Sequence, residues 1–368
     1  MRKHLIIIKA SDSFDTRTNK FVHVFKKYGY HLEFVGIKRH KKLEENKNYQ
    51  NIKYLFNINQ GLPNKPKMIL IYLFWIVYLF FHLFINGKYY SKHPILVINF
   101  DSAISVYFYS LFFKCTYYYD IHDELALSHN FPKNIKKYLK IIDYKIRKRA
   151  KVVIHVDKNR ISEIDSNNFI ILENSPLDYF NNTYIKPNLK HCFAVTGYLT
   201  RQRGVREILK FAEINSHIEF ILAGFIQDEE LLKSYRILNN LKYLGFIPQN
   251  ELFTKIKNCC GIFSLYEPTI EINKLAASNK LYDALMLGIP VITNYGVENS
   301  EIVHKYNVGI VINYTYDNSW EILSKPDFIQ IAEKIGQNGR KLYLEGYKFD
   351  DMVKQRFLPI LENYKTAK

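Results

Sequence analysis

The sequence predicts an α/β protein made of two doubly wound parallel-sheet domains in tandem. Three observations lead there. Short apolar runs alternate with helical patterns along the chain, as in repeated βαβ units. The series starts twice, at Leu5 and again at Phe193, with a Pro- and Asn-bearing stretch between. The length of 368 residues and a hydrophobic fraction of 48% are enough for two packed cores.

In the first series Leu5–Ile8 reads as a strand, followed by a polar loop from Ser11 to Thr18 and a helix through Tyr28. Gly29 stops that helix, His31–Val35 is the next strand and Ile52–Phe56 a third. Further on, Ile95–Asn99 is a strand, Ser102–Phe113 a helix and Thr116–Asp120 a strand. Lys133–Arg149 is a basic helix, and Val152–Val156 and Phe169–Leu172 are strands. Pro176, Asn181, Asn182, Pro187 and Asn188 mark the linker. The second series has strands at Phe193–Thr196, Glu219–Ala223, Lys242–Leu244, Gly261–Leu265, Val291–Thr293 and Gly309–Ile312, with helices between. Two helical stretches follow Pro326, at Phe328–Leu344 and Asp350–Tyr364.

Composition narrows the function classes. The net charge of +17 fits nucleic acid, an anionic membrane surface or phosphorylated substrates. The basic residues are spread along the chain, which counts against nucleic acid as the partner. Cys115, Cys192, Cys259 and Cys260 form no Cys-x-x-Cys pair and no zinc pattern. They read as free thiols of a reducing, cytoplasmic compartment. The N-terminal apolar run is too short for a signal peptide.

One segment departs from a soluble pattern. Residues 68–87 contain no Asp, Glu, Lys or Arg, and lysines flank them on both sides. The length is near the ~20 residues that cross a bilayer. A span would put the flanking strands of one sheet on opposite sides of a membrane. A buried core helix, or a helix lying on the membrane face, fits the strand pattern better, and both can hold at once.

The chemistry concentrates in Ala276-Ala277-Ser278-Asn279-Lys280-Leu281-Tyr282-Asp283-Ala284-Leu285-Met286-Leu287-Gly288-Ile289-Pro290-Val291-Ile292. It reads as a polar turn, a short helix, a glycine stop and a buried strand. Free N–H groups and the dipole at the helix start favour an anion, and Lys280 adds a cation there. An ordinary sheet-packing helix capped by Asn has the same local pattern. The stretch resembles the donor-site helix of GT-B glycosyltransferases of the retaining group that uses nucleotide sugars, whose members carry Asn-Lys-Leu-x-Glu-Ala and Gly-x-Pro-Val-Ile. Asp283 stands where Glu is usual. Upstream, Gly197-Tyr198-Leu199-Thr200-Arg201-Gln202-Arg203-Gly204 resembles the family's Gly-x-Leu-x-x-x-Lys-Gly turn, with Arg203 at the Lys position.

The resemblance implies two Rossmann-like domains facing a cleft. It implies an acceptor domain at residues 1–180, a donor domain at 188–349 and a crossing helix at 350–368 that returns to the first. Arg203 and Lys280 then hold the donor diphosphate, with Arg201 nearby. Asn279 lies at the helix tip, and Asp283 receives the ribose hydroxyls or is a solvated helix carboxylate. Gly296, in Asn294-Tyr295-Gly296, lets backbone N–H groups approach phosphate or is a plain turn glycine. Phe246 lines the nucleobase or packs in the core. Relatives carry a second Glu eight residues before the first. Leu275 stands there, leaving Glu271 as the nearby carboxylate for the donor sugar.

In the first domain His122, in Tyr119-Asp120-Ile121-His122-Asp123-Glu124, resembles a strand-end His that faces the reacting centre in relatives. Its other reading is a structural hydrogen-bonder. Asp15 and Arg17 resemble an acceptor-side Asp-x-Arg. His122-Asp123-Glu124 lacks partner ligands at metal spacing, so neither metal nor cofactor is expected beyond the nucleotide sugar. The expected function is transfer of a sugar from a nucleotide-diphosphate donor to a glycan or lipid-linked acceptor at the inner membrane leaflet, in surface polysaccharide synthesis. The rival readings are a basic nucleic-acid-binding protein, an inactive GT-B scaffold and a nucleotide-sugar epimerase.

Overall fold

The computed structural model describes residues 3–39, 46–58, 65–122, 125, 131–158, 168–180, 183–226, 229–275 and 278–363. Asp123, Glu124, Ala276, Ala277, Asn181, Asn182 and Tyr364, all singled out from the sequence, lie outside them. The chain divides into two compact units. One comprises residues 3–173 and 352–363, the other 174–351.

The first unit runs β1 Lys3–Ile8, α1 Thr16–Lys27, β2 Tyr30–Lys38, β3 Asn51–Asn57, α2 Lys65–Ile85, α3 Gly87–Tyr90, β4 Ile95–Ile98, α4 Phe100–Phe112, β5 Tyr117–Ile121, α5 Lys133–Arg149, β6 Val152–His155 and β7 Phe169–Ile171. The seven strands pair in parallel in the order β3-β2-β1-β4-β5-β6-β7. Each strand is followed by a crossover, and the strand order reverses between β1 and β4. A crevice opens at such a point, outside the C-terminal strand ends. One face of the sheet buries Ile6, Ile8, Val35, Ile37 and Val97 under Trp75, Leu79 and Leu83 of α2 and Ala103 and Val106 of α4. On the other face Phe357, from the C-terminal segment, meets Phe21, Phe25 and Tyr118 at ring separations of 6.1, 5.9 and 5.3 Å.

The second unit runs β8 Lys190–Leu199, a 3-10 turn Arg201–Arg203, α6 Val205–Ile214, β9 Glu219–Ile226, α7 Glu229–Ile237, β10 Leu241–Tyr243, α8 Gln249–Ile256, β11 Cys259–Phe263, α9 Glu271–Lys274, α10 Asn279–Leu287, β12 Val291–Asn294, α11 Asn299–Tyr306, β13 Gly309–Ile312 and α12 Phe328–Leu342. Its six parallel strands are ordered β10-β9-β8-β11-β12-β13, with the reversal between β8 and β11. Phe193, Phe211, Phe263, Trp320 and Phe328 pack together in its core. The described residues of the stretch read as linker, 176–180 and 183–188, belong to this unit. Asp178 pairs with the buried Arg340 at 2.7 Å, and Arg340 also stacks on Tyr184, 4.2 Å from the ring centre.

Local chemistry set several boundaries. Helix α1 begins at Thr16 because Asp15 caps it, accepting from the Thr18 N–H at 2.9 Å. The predicted helix over 328–344 ends at Leu342 in a π turn, Tyr343–Tyr347. The predicted 350–364 helix is broken into α13 Phe349–Met352, a π turn Val353–Phe357 and α14 Leu358–Glu362. Pro359 lies in the first turn of α14, where its missing N–H costs no helical bond; inside a continuous helix it breaks the ladder.

Helix α2 is long and apolar enough to cross a membrane, with 17% of its central stretch buried. Trp75, Leu79 and Leu83 are fully buried against the sheet and α4, and Trp75 donates to Ser102 Oγ at 3.1 Å. The other face leaves Leu70, Leu73, Phe74, Val77, Phe81 and Ile85 exposed. A buried core helix thus describes only one stripe of this element.

Cys192, Cys259 and Cys260 are buried free thiols, and Cys115 is half-buried and free. Cys192 and Cys259 lie side by side on β8 and β11, 3.1 Å between sulfurs.

Candidate functional site

Each sheet gathers a polar cluster at its C-terminal strand ends, at the point of strand-order reversal. In the second unit the cluster is cationic. Strand β11 runs out into Ser264-Leu265-Tyr266. The Asn294 side chain, at the end of β12, clamps the Tyr266 backbone: its Oδ1 accepts from the Tyr266 N–H at 2.8 Å and its Nδ2 donates to the carbonyl at 3.0 Å. Arg203 lies over the Tyr266 ring with its guanidinium carbon 4.0 Å from the centre, and Lys280 Nζ lies 5.9 Å from the same centre. The Glu267 N–H donates to the Gln202 carbonyl at 3.0 Å, tying the loop to the turn that carries Arg203. Two residues 77 positions apart in sequence therefore share one aromatic platform.

Among the described residues no carboxylate pairs with these cations within the cluster, and Arg203 Nη1 is buried without a hydrogen-bond partner. A buried, unsatisfied guanidinium nitrogen is costly unless an anion joins it. Helix α10 starts beside them. Its cap residue Ser278 makes no side-chain capping bond, because its hydroxyl is shared with Ser264 Oγ at 2.7 Å. The first N–H groups of a nine-residue helix are thus left for another acceptor. Burial pushes the Tyr266 phenol up. Lys280, Arg203 and the Ser278 and Ser264 hydroxyls more than reverse this, leaving it below the ordinary tyrosine range.

Glycine is required at two points here. Gly197 has φ +91°, and a Cβ there meets the Lys280 ammonium group at 3.6 Å. Gly204 has φ +71°, and a Cβ there lies 2.7 Å from Leu265. At the first the left-handed backbone, not crowding, calls for glycine; at the second the missing Cβ also lets the turn carrying Arg203 lie against the strand end.

The other donor-side residues have different placements. Asn279 is the exposed first residue of α10, and Asp283 is half-buried one turn on. Burial, with the Asp283 charge adding to it, raises Tyr179 above the ordinary value. Gly296 follows β12 beside Pro268. Phe246 is 88% exposed, which rules out core packing for it. Glu271 opens α9 and is exposed, as is Arg201, whose carbonyl accepts from Tyr314 Oη at 2.6 Å. A cavity of about 320 Å³ between α6 and α7 is lined by Arg201, Arg206, Lys210, Leu209, Leu231 and Leu238, among others. It includes none of Arg203, Lys280 or Asp283, so the charge arrangement, rather than this hollow, marks the site.

In the first unit the cluster is a closed network. Asp120, fully buried on β5, receives Arg17 through two bonds, Nε to Oδ2 at 3.2 Å and Nη2 to Oδ1 at 3.1 Å. His122 Nε2 is 2.7 Å from Asp120 Oδ2, and Lys9 Nζ is 3.4 Å from His122 Nδ1 and 2.7 Å from Asp15 Oδ1. Lysine only donates, so Nδ1 accepts and Nε2 carries the proton that goes to Asp120. Burial and the Lys9 charge lower His122 below the usual histidine range despite Asp120, which keeps the ring neutral. Burial raises Asp15 and Asp120, but the nearby cations and hydrogen bonds outweigh it and hold both well below the carboxylate range. Asn99, at φ +62° just after β4, accepts from the His122 N–H at 2.9 Å. A non-glycine residue held there is strained, as happens where a site is positioned.

The structure therefore brings His122, Asp15 and Arg17 into one network. It assigns Arg17 and Asp15 internal duties as well, an ion pair and a helix cap. Lys9, Asp120 and Tyr266 complete the two clusters and were missed as site residues from the sequence. The available signals were slight: a lysine ending the apolar run Leu5–Ile8, and an aromatic just past a strand.

Beside this network Asp101, half-buried at the start of α4, is pushed up to about 6 by burial, against Ser102, Lys9 and Arg39. A raised folded-state value means stability that is present below the unfolded value and lost as pH rises through 6. Asp101→Asn is therefore expected to stabilise the protein at pH 8 by roughly 1–3 kcal/mol, and to make no difference near pH 4. Urea melts at the two pH values check it.

Residues 207–355 match the family model described as Glucosyltransferase 3-like, C-terminal domain. No curated protein matches the sequence. Among solved structures, sucrose-phosphate synthase from Thermosynechococcus elongatus is similar at 11% identity, with 100% of each chain covered and a TM-score of 0.71. Anabaena HepE, solved in complex with UDP and glucose, is similar at 12% identity over 99% of this chain and 100% of its own, with a TM-score of 0.66. WaaG, a glycosyltransferase involved in lipopolysaccharide biosynthesis, is similar at 13% identity over 95% and 98%, with a TM-score of 0.62. At these identities the likeness is one of fold, and the fold class is GT-B. The domain match and the fold together support a glycosyltransferase.

Proposed function

We propose that the protein transfers a sugar from a nucleotide-diphosphate sugar to a glycan or lipid-linked glycan, with retention of anomeric configuration, in surface polysaccharide synthesis. One observation carries the donor half: Arg203 and Lys280 share the Tyr266 ring beside a helix start whose cap makes no side-chain bond. A diphosphate is the ligand whose charge and acceptor atoms fit that set. In this reading the two cations stabilise charge on the leaving diphosphate as the glycosidic bond breaks. A leaving-phosphate oxygen takes the acceptor proton on the same face of the sugar. Asp283 receives ribose hydroxyls, Asn279 and Gly296 offer backbone N–H groups, Phe246 stacks on the base, and Glu271 and Arg201 flank the donor. In the first unit, His122 faces the reacting centre and Asp15 and Arg17 shape the acceptor side.

HepE was solved with UDP and glucose, so UDP is the first probe. A thermal-shift screen with UDP, GDP, ADP and CMP is expected to show a rise of several degrees with one diphosphate, since ligand bound only to the folded state stabilises it. No response to any of them defeats the donor reading.

We further propose a peripheral position on the inner membrane leaflet. The support is the exposed apolar face of α2, continued by Phe108, Leu111 and Phe112 of α4, next to α5. There exposed Ile135, Tyr138 and Ile141 alternate with lysines, including Lys136, Lys137 and Lys140. Apolar side chains flanked by cations suit an anionic lipid surface. The protein is expected to sediment with vesicles containing phosphatidylglycerol at low salt, and Phe74→Ser with Phe81→Ser to reduce that at least tenfold. Wild-type protein that stays in the supernatant sinks this part.

A further inference from the structure

The opposite end of the first sheet, at the strand N-termini, carries a histidine cluster with no part in the reading above. His4 and His31 are register partners on the parallel strands β1 and β2, so their side chains leave the same face. Glu33, two residues after His31, shares that face. His4 Nε2 lies 3.1 Å from Glu33 Oε1 and His31 Nε2 lies 3.8 Å from it. All three ligand atoms fall within 4.8 Å of one another. The His4 ring packs on His31 at 4.8 Å and on His93, just before β4, at 4.0 Å.

We infer that His4, His31 and Glu33 form a divalent-metal site of the zinc type, which ties the start of β1 to the start of β2. Two imidazoles and one carboxylate are a ligand set that zinc accepts, leaving a fourth position for water. Ligand atoms held about 2.0–2.2 Å from a tetrahedral ion are themselves roughly 3.4 Å apart. The observed 3.1 and 3.8 Å to Glu33 bracket that spacing, and the two imidazole nitrogens, within 4.8 Å of each other, close on an ion by side-chain rotation. The side chains are 17%, 32% and 14% exposed, open enough for an ion to enter.

Two further observations favour a cation over a plain ion pair. His4 Nε2 is buried and makes no aligned hydrogen bond, despite its closeness to Glu33. Its ring is also packed between two other imidazoles, with ring centres 4.8 and 4.0 Å away, so three imidazoles converge at one point of the sheet. Tyr89 Oη donates to Glu33 Oε1 at 2.6 Å, which orients the carboxylate as outer partners of metal ligands do.

The test uses the full chain, stripped with EDTA, given one equivalent of zinc chloride and passed through gel filtration. Wild-type protein is expected to retain one zinc per chain and to gain several degrees in Tm, while magnesium gives neither. His31→Ala and Glu33→Gln are each expected to lose retention at least tenfold while keeping the response to UDP. With cobalt in place of zinc, the wild-type chain is expected to show the visible bands of a tetrahedral site, and His31→Ala to lose them. No retained zinc in the wild type, or equal retention in both variants, overturns the inference.

Discussion

Lys280→Ala is expected to abolish the thermal stabilisation by a nucleoside diphosphate while leaving the apo protein folded. Its ammonium group meets the Tyr266 ring at 5.9 Å, a contact worth no more than about 1 kcal/mol at a partly open position. The apo Tm should therefore move little. Toward a bound dianion the same group supplies a charge-assisted contact, and fixed charges facing a leaving group contribute on the order of 3 kcal/mol, or about a hundredfold in kcat/KM. Arg203→Ala should act alike. Arg203→Lys keeps the charge but loses the flat stack on Tyr266 at 4.0 Å, so it should recover only part of the effect. A UDP-induced shift that survives in both alanine variants removes the diphosphate from this site.

Asp120→Ala is expected to be the most destabilising single change in the first unit. Asp120 is fully buried, and Arg17, its bidentate partner, is 6% exposed. Truncation leaves a guanidinium in the interior facing a void, at a cost of about 3–5 kcal/mol. For a domain of this size the fall in Tm is on the order of 10 °C. The pH dependence has a definite sign. Asp120 is held well below its ordinary value, so its contribution is present above about pH 4 and is lost as acid titrates the folded group. The gap between wild type and Asp120→Ala should therefore be full at pH 7 and narrow below pH 4. Asp120→Asn, which keeps the shape and one acceptor, should fall between. A loss under 1 kcal/mol in urea melts at pH 7 contradicts the account.

Such a large effect also complicates reading the first unit by activity alone. His122 touches Asp120 directly, so replacing Asp120 changes both the fold and the histidine tautomer. His122→Ala removes a less buried group and is the cleaner probe of chemistry. If it lowers kcat with Tm preserved, the histidine acts on substrate and not merely within the network.

Much of the architecture could be read from the chain by itself. Residues 278–291 carry their own instructions: a polar turn, a helix, a glycine in the left-handed region at φ +72° and a strand. Strand identities came from local apolar runs, because a strand in a parallel sheet is buried on both faces and shows as a nearly unbroken run. The breaks near 343 and 353 were less legible. The second lies just before Pro359, which cannot sit inside a continuous helix, and hydrophobic period alone places neither break.

What the sequence determined was whatever is encoded within a turn or two of the chain: the strand runs, the helix caps, and the residue types Arg203, Lys280 and His122 near strand ends. Tertiary structure decided which distant side chains meet. Arg17 finds Asp120 from 103 positions away, Lys9 finds His122 from 113, and Tyr266 lies under two cations from different loops. The physical reason is that parallel sheets bring strand ends together through crossovers. Neighbours at a site are thus fixed by strand order, which no local period records. Exposure of one α2 face was likewise settled only by packing, since the helix is apolar all round in sequence.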